Sequence, residues 1–217
     1  MFKDFDGLTP LTASDVDNYL MKQVVIVCTS IDRPSSPVEG MTIYETDTDI
    51  YQGWTGTAWG FLAVANPIKA RGYIAVGTSL SASNGTEQAT FRWPAIQLHA
   101  NRLYRIEMSG LHLNASVTNI EYELRWRVTE NNTIPTTSST TIAQDRNRIA
   151  PSGADGPVLN WTAHYISPGT APVWSGLLTT KRYNGTSGTV TPVPATGGTH
   201  FVLYDCGPAP VATGITF

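Results

Sequence analysis

A short aromatic-rich segment, residues 41–64, constrains the fold of this chain more than any other feature. Three runs of strand-forming residues, at 41–45, at 50–54 and from 59 onward, are separated by a Thr/Asp turn and a turn at Gly56. Short strands joined by tight turns predict an antiparallel β-meander. A sheet of this size is marginally stable alone. Its aromatic residues are therefore expected to pack against the rest of the chain, another copy or a larger assembly; they are Tyr44, Tyr51, Trp54 and Trp59.

The composition favours an all-β protein that does not bind nucleic acid. The chain has 217 residues, which is enough for a full hydrophobic core. Only 14% of the residues are charged, and Thr, Ser, Asn and Gly are abundant. The 14 basic residues are scattered among 17 acidic ones, so the chain has no basic stretch to attract a phosphate backbone.

The pattern divides the chain into an N-terminal region, 1–66, and a larger domain, 67–217. Thr12-Ala-Ser-Asp15 resembles a helix capping box and predicts a helix from Thr12 to about Gln23. That helix would carry Val16, Tyr19 and Leu20 on one face, and it is too short to be stable without a docking surface. An apolar run at 24–28 predicts a strand before the meander.

The larger domain has the pattern of a two-sheet protein. Clusters of Gly, Pro, Asn and Thr separate eight candidate strands, at 72–79, 88–94, 102–113, 119–129, 139–145, 157–166, 172–184 and 199–206. Eight strands at this spacing predict a jelly-roll-like β-sandwich. Phe201-Val-Leu-Tyr204 lacks alternation, which predicts a strand buried on both faces.

Two strands carry the clearest burial pattern. In residues 120–128 the apolar positions alternate with Glu121, Glu123, Arg125 and Arg127, so one face is expected in the core and the charged face in water or against a partner. In residues 104–113 the apolar phase changes after Met108, which predicts a bulge at Ser109-Gly110.

The sequence contains no recognisable catalytic or metal-binding constellation, so we expect no enzyme activity, no cofactor and no metal. The four histidines are scattered. Glu45, Asp47 and Asp49 lack the glycine and distal glutamate of a calcium loop and are interpreted as a solvated turn. Glu121 and Glu123 are a candidate for a glycosidase pair, with charge pairing to Arg125 and Arg127 or a subunit contact as the favoured alternatives.

The remaining polar and aromatic features favour ordinary structural roles. Cys28 and Cys206 form either one disulfide or two small buried apolar sites. The four tryptophans of the larger domain are expected in its core rather than as sugar platforms. The N-terminus lacks the apolar stretch of a signal peptide, and no stretch of the sequence is apolar enough to span a membrane, so we expect production in the cytoplasm of the cell that makes it.

Two segments resemble virion proteins of tailed bacteriophages, mostly those that infect actinobacteria. The first combines Leu11–Gln23 with Ser36-Pro-Val-Glu-Gly-Met-Thr and Trp54-Thr-Gly-Thr-Ala-Trp59. The second, Phe201-Val-Leu-Tyr-Asp-Cys-Gly-Pro208, is similar to the last sandwich strand of those proteins, which more often has Ile where this chain has Cys206. Proteins of this kind are minor tail proteins, tail fibres, or head decoration and head fibre proteins. The resemblance implies a homo-oligomer, most often a trimer, that is fixed to the capsid or tail by its N-terminal region.

Two hypotheses follow for the function. In the first, the protein is a virion component whose N-terminal region docks on capsid or tail and whose sandwich projects as a trimeric knob. Contacts between chains would then involve Val16, Tyr19, Leu20, Tyr44, Tyr51, Trp54 and Trp59. In the second, the sandwich binds a host cell-surface glycan or another receptor through its long loops, 130–139, 146–157 and 184–198.

Overall fold

The computed structural model of the protein describes residues 12–13, 25–117, 119–149, 158–184 and 187–210. Within those ranges the fold is all-β, with fourteen strands. The chain divides into two compact units between Asn66 and Pro67. Apart from Thr12 and Ala13, the predicted helix lies outside the described residues, and with it Val16, Tyr19 and Leu20.

The first unit contains β1 (Ile26–Cys28), β2 (Thr42–Glu45), β3 (Ile50–Trp54) and β4 (Trp59–Val64). They form one sheet in the order β1-β2-β3-β4. The meander is confirmed, because β2, β3 and β4 pair antiparallel at the predicted positions. The strand predicted at 24–28 is β1, and it runs parallel to β2.

The second unit contains ten strands. They are β5 (Ile68–Ile74), β6 (Gln88–Arg92), β7 (Ile96–Gln97), β8 (Arg102–Ala115), β9 (Ile120–Thr129), β10 (Thr140–Ile149), β11 (Leu159–Ile166), β12 (Val173–Arg182), β13 (Val190–Pro194) and β14 (Thr199–Pro208). Each of the eight predicted strands overlaps one of them, although β5 begins four residues earlier than predicted. The strands β7 and β13 were not predicted.

These strands form two facing antiparallel sheets. One has the order β11-β8-β14-β5 with β13 beside β8, and the other has the order β10-β9-β12-β6 with β7 beside β12. Side chains of both sheets meet in one core: the ring centroid of Trp126 on β9 lies 6.0 Å from that of Phe201 on β14. A β-sandwich is therefore observed.

The core contains the residues that the alternation indicated. On β9 the residues Ile120, Tyr122, Leu124, Trp126 and Val128 are all buried. Three of the four tryptophans expected in the core, Trp93, Trp126 and Trp174, are buried, whereas Trp161 is half-buried and packs against the core from its side.

On β8 the predicted bulge is confirmed by the register. Met108 pairs with Trp161 and Leu111 with Leu159, so β8 contains one residue more than β11 over this interval, at Ser109-Gly110. Gly110 takes a positive φ of 78°, which an L side chain rarely adopts. The bulge keeps Tyr104, Ile106, Leu111 and Leu113 on the buried side despite the change of phase.

Several expectations are wrong. Of the two alternatives for the charged face of β9, exposure to water is wrong for Glu123 and Arg127, which are buried in an ion-pair network, and contact with a partner stays a prediction. The strand β14 is not buried on both faces: Val202 and Tyr204 are half-buried, since only its inner face meets the core.

Both cysteines are free, so the disulfide is not formed. Cys206 is exposed and Cys28 is half-buried, so neither is a fully buried apolar site. Cys206 is exposed because it alternates with the buried residues Asp205 and Gly207 of β14 and therefore lies on the outer face.

Candidate functional site

The aromatic residues of the first unit pair with one another across the sheet. Tyr44 and Tyr51 are cross-strand partners with ring centroids 5.0 Å apart, and Trp54 and Trp59 pair in the same way at 5.3 Å with an edge-to-face geometry. All four are half-buried. The structure therefore brings the four predicted contact residues together as two pairs. Their contact with another chain stays a prediction.

Hydrogen bonds hold these pairs in place. The Tyr44 hydroxyl donates to the Asp49 carboxylate at 2.9 Å, and this hydrogen bond raises the pKa of Tyr44. The backbone N–H of Trp54 donates to the Met41 carbonyl at 2.9 Å, so the end of β3 is tied to the lead-in of β2.

The acidic turn of the first unit is also occupied by protein contacts. Glu45 is buried and pairs with Arg33, while the Thr48 hydroxyl donates to it at 2.7 Å. Asp47 accepts from the backbone and hydroxyl of Ser30, and these bonds lower its pKa. The expectation of a solvated turn is thus wrong for Glu45. No group of three or more His, Cys, Asp or Glu side chains within the described ranges is arranged to hold a metal ion.

Both edge strands of the sheet carry exposed apolar side chains: Val27 on β1 is 65% exposed, and two such residues lie on β4. In the sequence Trp59-Gly-Phe-Leu-Ala-Val64 there is neither a charge nor a proline, and β4 is the last strand in the sheet order. Phe61 is 44% exposed and Leu62 is 57% exposed. Strand alternation puts these two side chains on opposite faces of the sheet. We refer to Trp59–Val64 as the β4 edge.

In the second unit, the two glutamates considered as a glycosidase pair are bound by arginines. Glu121 pairs with Arg148 at 3.0 Å, and Glu123 pairs with Arg125 at 2.6 Å and with Arg146 at 3.5 Å. The alternative prediction, charge pairing, is therefore observed.

Two cavities flank the loop between β9 and β10 in the second unit. The larger, of about 590 Å³, is lined mainly by hydroxyl and amide side chains: Val128, Thr129, Glu130, Asn131, Thr133, Ser138, Ser139 and Thr140. The smaller, of about 300 Å³, is lined by Arg92, Trp93, Pro94, Ala95, Asn132, Thr133, Ile134, Pro135 and Ser175. We call them the hydroxyl cup and the Trp93 pocket.

Internal hydrogen bonds shape the loop between the cavities. The Thr129 hydroxyl donates to the Thr133 carbonyl at 2.6 Å, and the Thr133 hydroxyl donates to the Asn131 side-chain oxygen at 2.6 Å. The backbone N–H of Asn132 donates to the Val173 carbonyl at 3.1 Å, and Asn132 takes a positive φ of 59°. The sequence indicated only that this loop is long. The hydroxyl cup is lined by this part of the chain alone, whereas the Trp93 pocket also needs residues 92–95 and Ser175, far away in the chain.

Comparison with known proteins adds only distant structural likenesses. No family model matches the chain, and no curated protein matches its sequence. The solved structure of the infectious bursal disease virus Gx strain matches at 15% identity with a TM-score of 0.37, over 81% of this chain and 46% of that chain. The VP2 subviral particle of infectious bursal disease virus matches at 13% identity with a TM-score of 0.38, over 81% and 46%.

An aminopeptidase from a marine sediment Thaumarchaeota archaeon matches at 8% identity with a TM-score of 0.32, over 82% of this chain and 42% of that chain. The chain thus spans less than half the length of each of these three proteins. At such scores and identities the likeness establishes neither a family nor a function. No helix among the described residues is long and apolar enough to cross a membrane.

Proposed function

We propose that the protein is a bacteriophage virion structural protein without enzymatic activity, built from several copies of this chain. Its first unit docks on capsid or tail, and its second unit projects as a knob. The observation that carries the proposal is the β4 edge, which exposes Phe61 and Leu62 on a strand without charge or proline. Natural proteins usually protect an edge strand with charges, prolines, bulges or a covering segment, because an unprotected edge recruits another chain. The β4 edge has a bulge at Leu62 but neither a charge nor a proline.

The strand order of the second unit supports a jelly roll. In chain order, the eight main strands are β5, β6, β8, β9, β10, β11, β12 and β14. The first pairs with the eighth, the second with the seventh, the third with the sixth and the fourth with the fifth. This is the pairing that results when one long antiparallel hairpin rolls into two sheets. Jelly rolls are frequent in viral capsids and in lectins, so the fold suits a projecting domain but does not by itself define its role.

A homotrimer is the assembly that we propose. The sheet of the first unit has two different end strands, β1 and β4. Contact between unlike surfaces of neighbouring copies is head-to-tail, and such contacts form a closed ring when the rotation from one copy to the next closes. The resemblance to tailed-phage virion proteins favours three copies, with other virion proteins as the further partners and the virion as the location.

Substitution at the β4 edge tests this function. Leu62→Lys adds a charge to the exposed edge and should reduce the assembled species, as measured by native mass spectrometry of the purified protein. Ile166→Lys is the matched control, because Ile166 is 55% exposed but lies on β11 of the second unit. Trp54→Ala should weaken assembly and virion attachment while the sandwich stays folded. A wild-type protein that is monomeric at all concentrations, or a Leu62→Lys variant that assembles normally, would contradict the proposal.

The second candidate function is recognition of a host cell-surface glycan or another receptor by the second unit. The hydroxyl cup and the Trp93 pocket favour it, because both are lined by Thr133 and both lie beside a loop held by its own hydrogen bonds. A preformed recess loses little conformational entropy when a ligand binds. A screen of the full chain against host-derived glycans would test this candidate independently of the assembly role.

A further inference from the structure

Two places in the second unit have the same tripeptide, Asn-Gly-Thr, at 84–86 and at 184–186. An asparagine that precedes glycine can lose its side-chain amide, because glycine has no side chain to shield its backbone nitrogen from the asparagine carbonyl carbon. Since the three residues are identical at both places, the local sequence predicts the same reactivity for Asn84 and Asn184. Any difference between them must come from the fold.

The first asparagine lies in an exposed bend whose ends are fixed. Asn84 is exposed, whereas Ser83 before it is buried and exchanges backbone hydrogen bonds with Val190 at 2.8 and 2.9 Å. The Ser83 hydroxyl donates to the Thr86 carbonyl at 2.8 Å, across the bend. Neither the Asn84 amide nor the Gly85 backbone N–H has a hydrogen-bond partner among the described residues. The Asn84 side chain can therefore turn towards the Gly85 nitrogen without breaking a hydrogen bond.

A positive charge lies beside the glycine of this bend. An ideal Cβ on Gly85 would be 3.2 Å from a terminal nitrogen of the Arg182 guanidinium. The other terminal nitrogen of Arg182 donates to the Gly188 carbonyl at 2.6 Å, which holds the guanidinium in place. A nearby positive charge favours the deprotonated form of a group. Loss of the proton from the Gly85 backbone N–H is the first step of amide loss at Asn84.

The second asparagine is held by a neighbouring strand. Asn184 is also exposed, but its side-chain oxygen accepts a hydrogen bond from the backbone N–H of Glu121 at 3.1 Å. Tyr183, just before it, donates its backbone N–H to the Glu121 carbonyl at 2.8 Å. The hydrogen bond to Glu121 must break before the Asn184 side chain can turn towards the backbone nitrogen that follows it. Amide loss should therefore be slower at Asn184 than at Asn84.

We propose that Asn84 is a site of spontaneous deamidation, with water as the co-reactant. The deprotonated Gly85 nitrogen attacks Cγ of Asn84 and forms the new C–N bond of a succinimide ring. The bond between Cγ and Nδ2 breaks, and the side-chain nitrogen leaves as ammonia with the proton that Gly85 gave up. Water then opens the ring at one of its two carbonyl groups, which produces either aspartate or isoaspartate at this position.

The modification changes both the charge and the backbone of the bend. Each product carries one negative charge more than asparagine, two to three residues before Glu87 in the chain. Isoaspartate also adds one carbon to the backbone between Ser83 and Thr86, so we expect it to break the hydrogen bond that joins them. Because Ser83 is buried, a lost partner there lowers the stability of the fold. The inference depends on neither the assembly role nor glycan recognition.

Peptide mapping of the full chain tests the site, because trypsin separates the two asparagines. The tryptic peptides 72–92 and 183–217 each contain a single asparagine, Asn84 and Asn184. The protein is incubated in mildly alkaline buffer made with water enriched in the heavy oxygen isotope and is then digested in ordinary water. Mass spectrometry should show loss of ammonia and uptake of one heavy oxygen in 72–92, about tenfold faster than in 183–217. Isoaspartyl methyltransferase should label the modified peptide 72–92.

Unfolding and substitution provide the controls. In guanidinium chloride the two tripeptides are equally open, so their rates should become similar. Asn84→Gln should abolish the mass change in 72–92, because ring closure from the longer side chain is much slower. Asn184→Gln is the matched control and should leave 72–92 unchanged in its rate. The isoaspartyl protein, separated by ion exchange, should have a lower urea midpoint than the unmodified protein.

The contrary results are equally distinct. Equal rates at the two asparagines in the folded protein, or conversion of Asn84 only in guanidinium chloride, would overturn the proposal. A mass change in 72–92 that persists in Asn84→Gln would overturn it as well. An unchanged urea midpoint of the isoaspartyl protein would contradict the structural role assigned to the Ser83 hydrogen bond.

Discussion

The guanidinium of Arg102 forms two parallel hydrogen bonds with the carboxylate of Asp205, from Nε at 3.0 Å and from a terminal nitrogen at 2.8 Å. Arg102 lies at the start of β8 and Asp205 near the end of β14, and both side chains are buried. The backbone N–H of Gly207 also donates to Asp205 at 2.9 Å. The pair thus joins two neighbouring strands of one sheet.

Removal of one partner of this buried pair should destabilise the second unit strongly. Asp205→Ala leaves the Arg102 guanidinium buried without its main acceptor, so the free energy of unfolding should fall by about 3–5 kcal/mol. Urea unfolding followed by tryptophan fluorescence measures the change, because the core tryptophans lie in this unit. The control is Glu107→Ala, which breaks a half-exposed pair with Arg105 and should cost about 1 kcal/mol or less. Equal losses for the two variants would contradict the assigned role of burial.

The bulge of β8 gives a prediction that separates backbone strain from steric overlap. Gly110→Ala combines a positive φ with a Cβ only 2.5 Å from the Gly198 carbonyl oxygen, so it should destabilise the protein by about 2 kcal/mol or more. Gly77→Ala meets only the positive φ and should cost about 1 kcal/mol. Gly197→Ala meets neither and should be neutral. Thermal unfolding of the three variants checks this order.

Much of the fold could be predicted from the sequence because period-2 alternation reports burial directly. On β9 every apolar position of the alternation is buried, and on β8 the loss of phase at Ser109-Gly110 marked the bulge. The meander was predictable from its turns. The strand β13 was missed because Pro192 and Pro194 interrupt its pattern; it tolerates them because its only pairing besides β8, among the described residues, is a single bridge from Val190 to Ser83.

The parts that could not be predicted depend on distant segments of the chain. Alternation placed Glu123 and Arg127 on the outer face of β9, but it gave no sign that Glu87 would meet Arg127 there, 40 positions earlier in the sequence. The Trp93 pocket has the same origin, since Arg92 and Ile134 come together only in the folded domain. The sequence predicted that the aromatic residues of the first unit need a packing partner. It did not show that they pack against one another across the sheet.

Buried tyrosines should make the protein unstable in alkali. Burial raises the pKa of Tyr104 to about 12 and that of Tyr122 to about 12, above the ordinary value of 10. A raised pKa means that the folded state retains the proton, so the contribution is complete below pH 10 and is lost as the pH rises towards 12. Each residue should lower the free energy of unfolding by about 1.4 kcal/mol per pH unit in that window.

Substitution of Tyr122 separates its contribution to the alkaline loss of stability from that of Tyr104. Its buried hydroxyl has no hydrogen-bond partner within the described ranges, so Tyr122→Phe should raise the free energy of unfolding by about 1 kcal/mol at pH 7. It should also reduce the slope with which the free energy of unfolding falls in alkali, by the contribution of one tyrosine. Urea midpoints between pH 8 and pH 11 measure both effects, and an unchanged alkaline slope would show that Tyr122 does not contribute.

The ion-pair network on the outer face of the sheet that contains β9 should lose its stabilising effect in acid, and Glu87 is the residue responsible. Its carboxylate accepts from Arg127 at 2.6 and 2.7 Å, from Arg125 at 3.1 Å and from the Thr179 hydroxyl. Burial alone would raise the pKa of Glu87, but the hydrogen bonds from Arg127 and Thr179 outweigh it and lower the pKa below its usual 4.5.

Since the folded state lowers this pKa, the stabilisation is complete above about pH 4.5 and is lost as the pH falls through the lowered value. Glu87→Gln removes the charge that Arg127, only 7% exposed, depends on, and should cost about 3 kcal/mol at pH 7. The variant should also lose less of its remaining stability between pH 5 and pH 3 than the wild type. Glu121→Gln, which breaks a pair with an exposed arginine on the same strand face, should leave the acid profile nearly unchanged. Urea unfolding of the wild type and the two variants at each pH measures these effects. Identical acid profiles for wild type and Glu87→Gln would show that Glu87 is not the cause of the acid sensitivity.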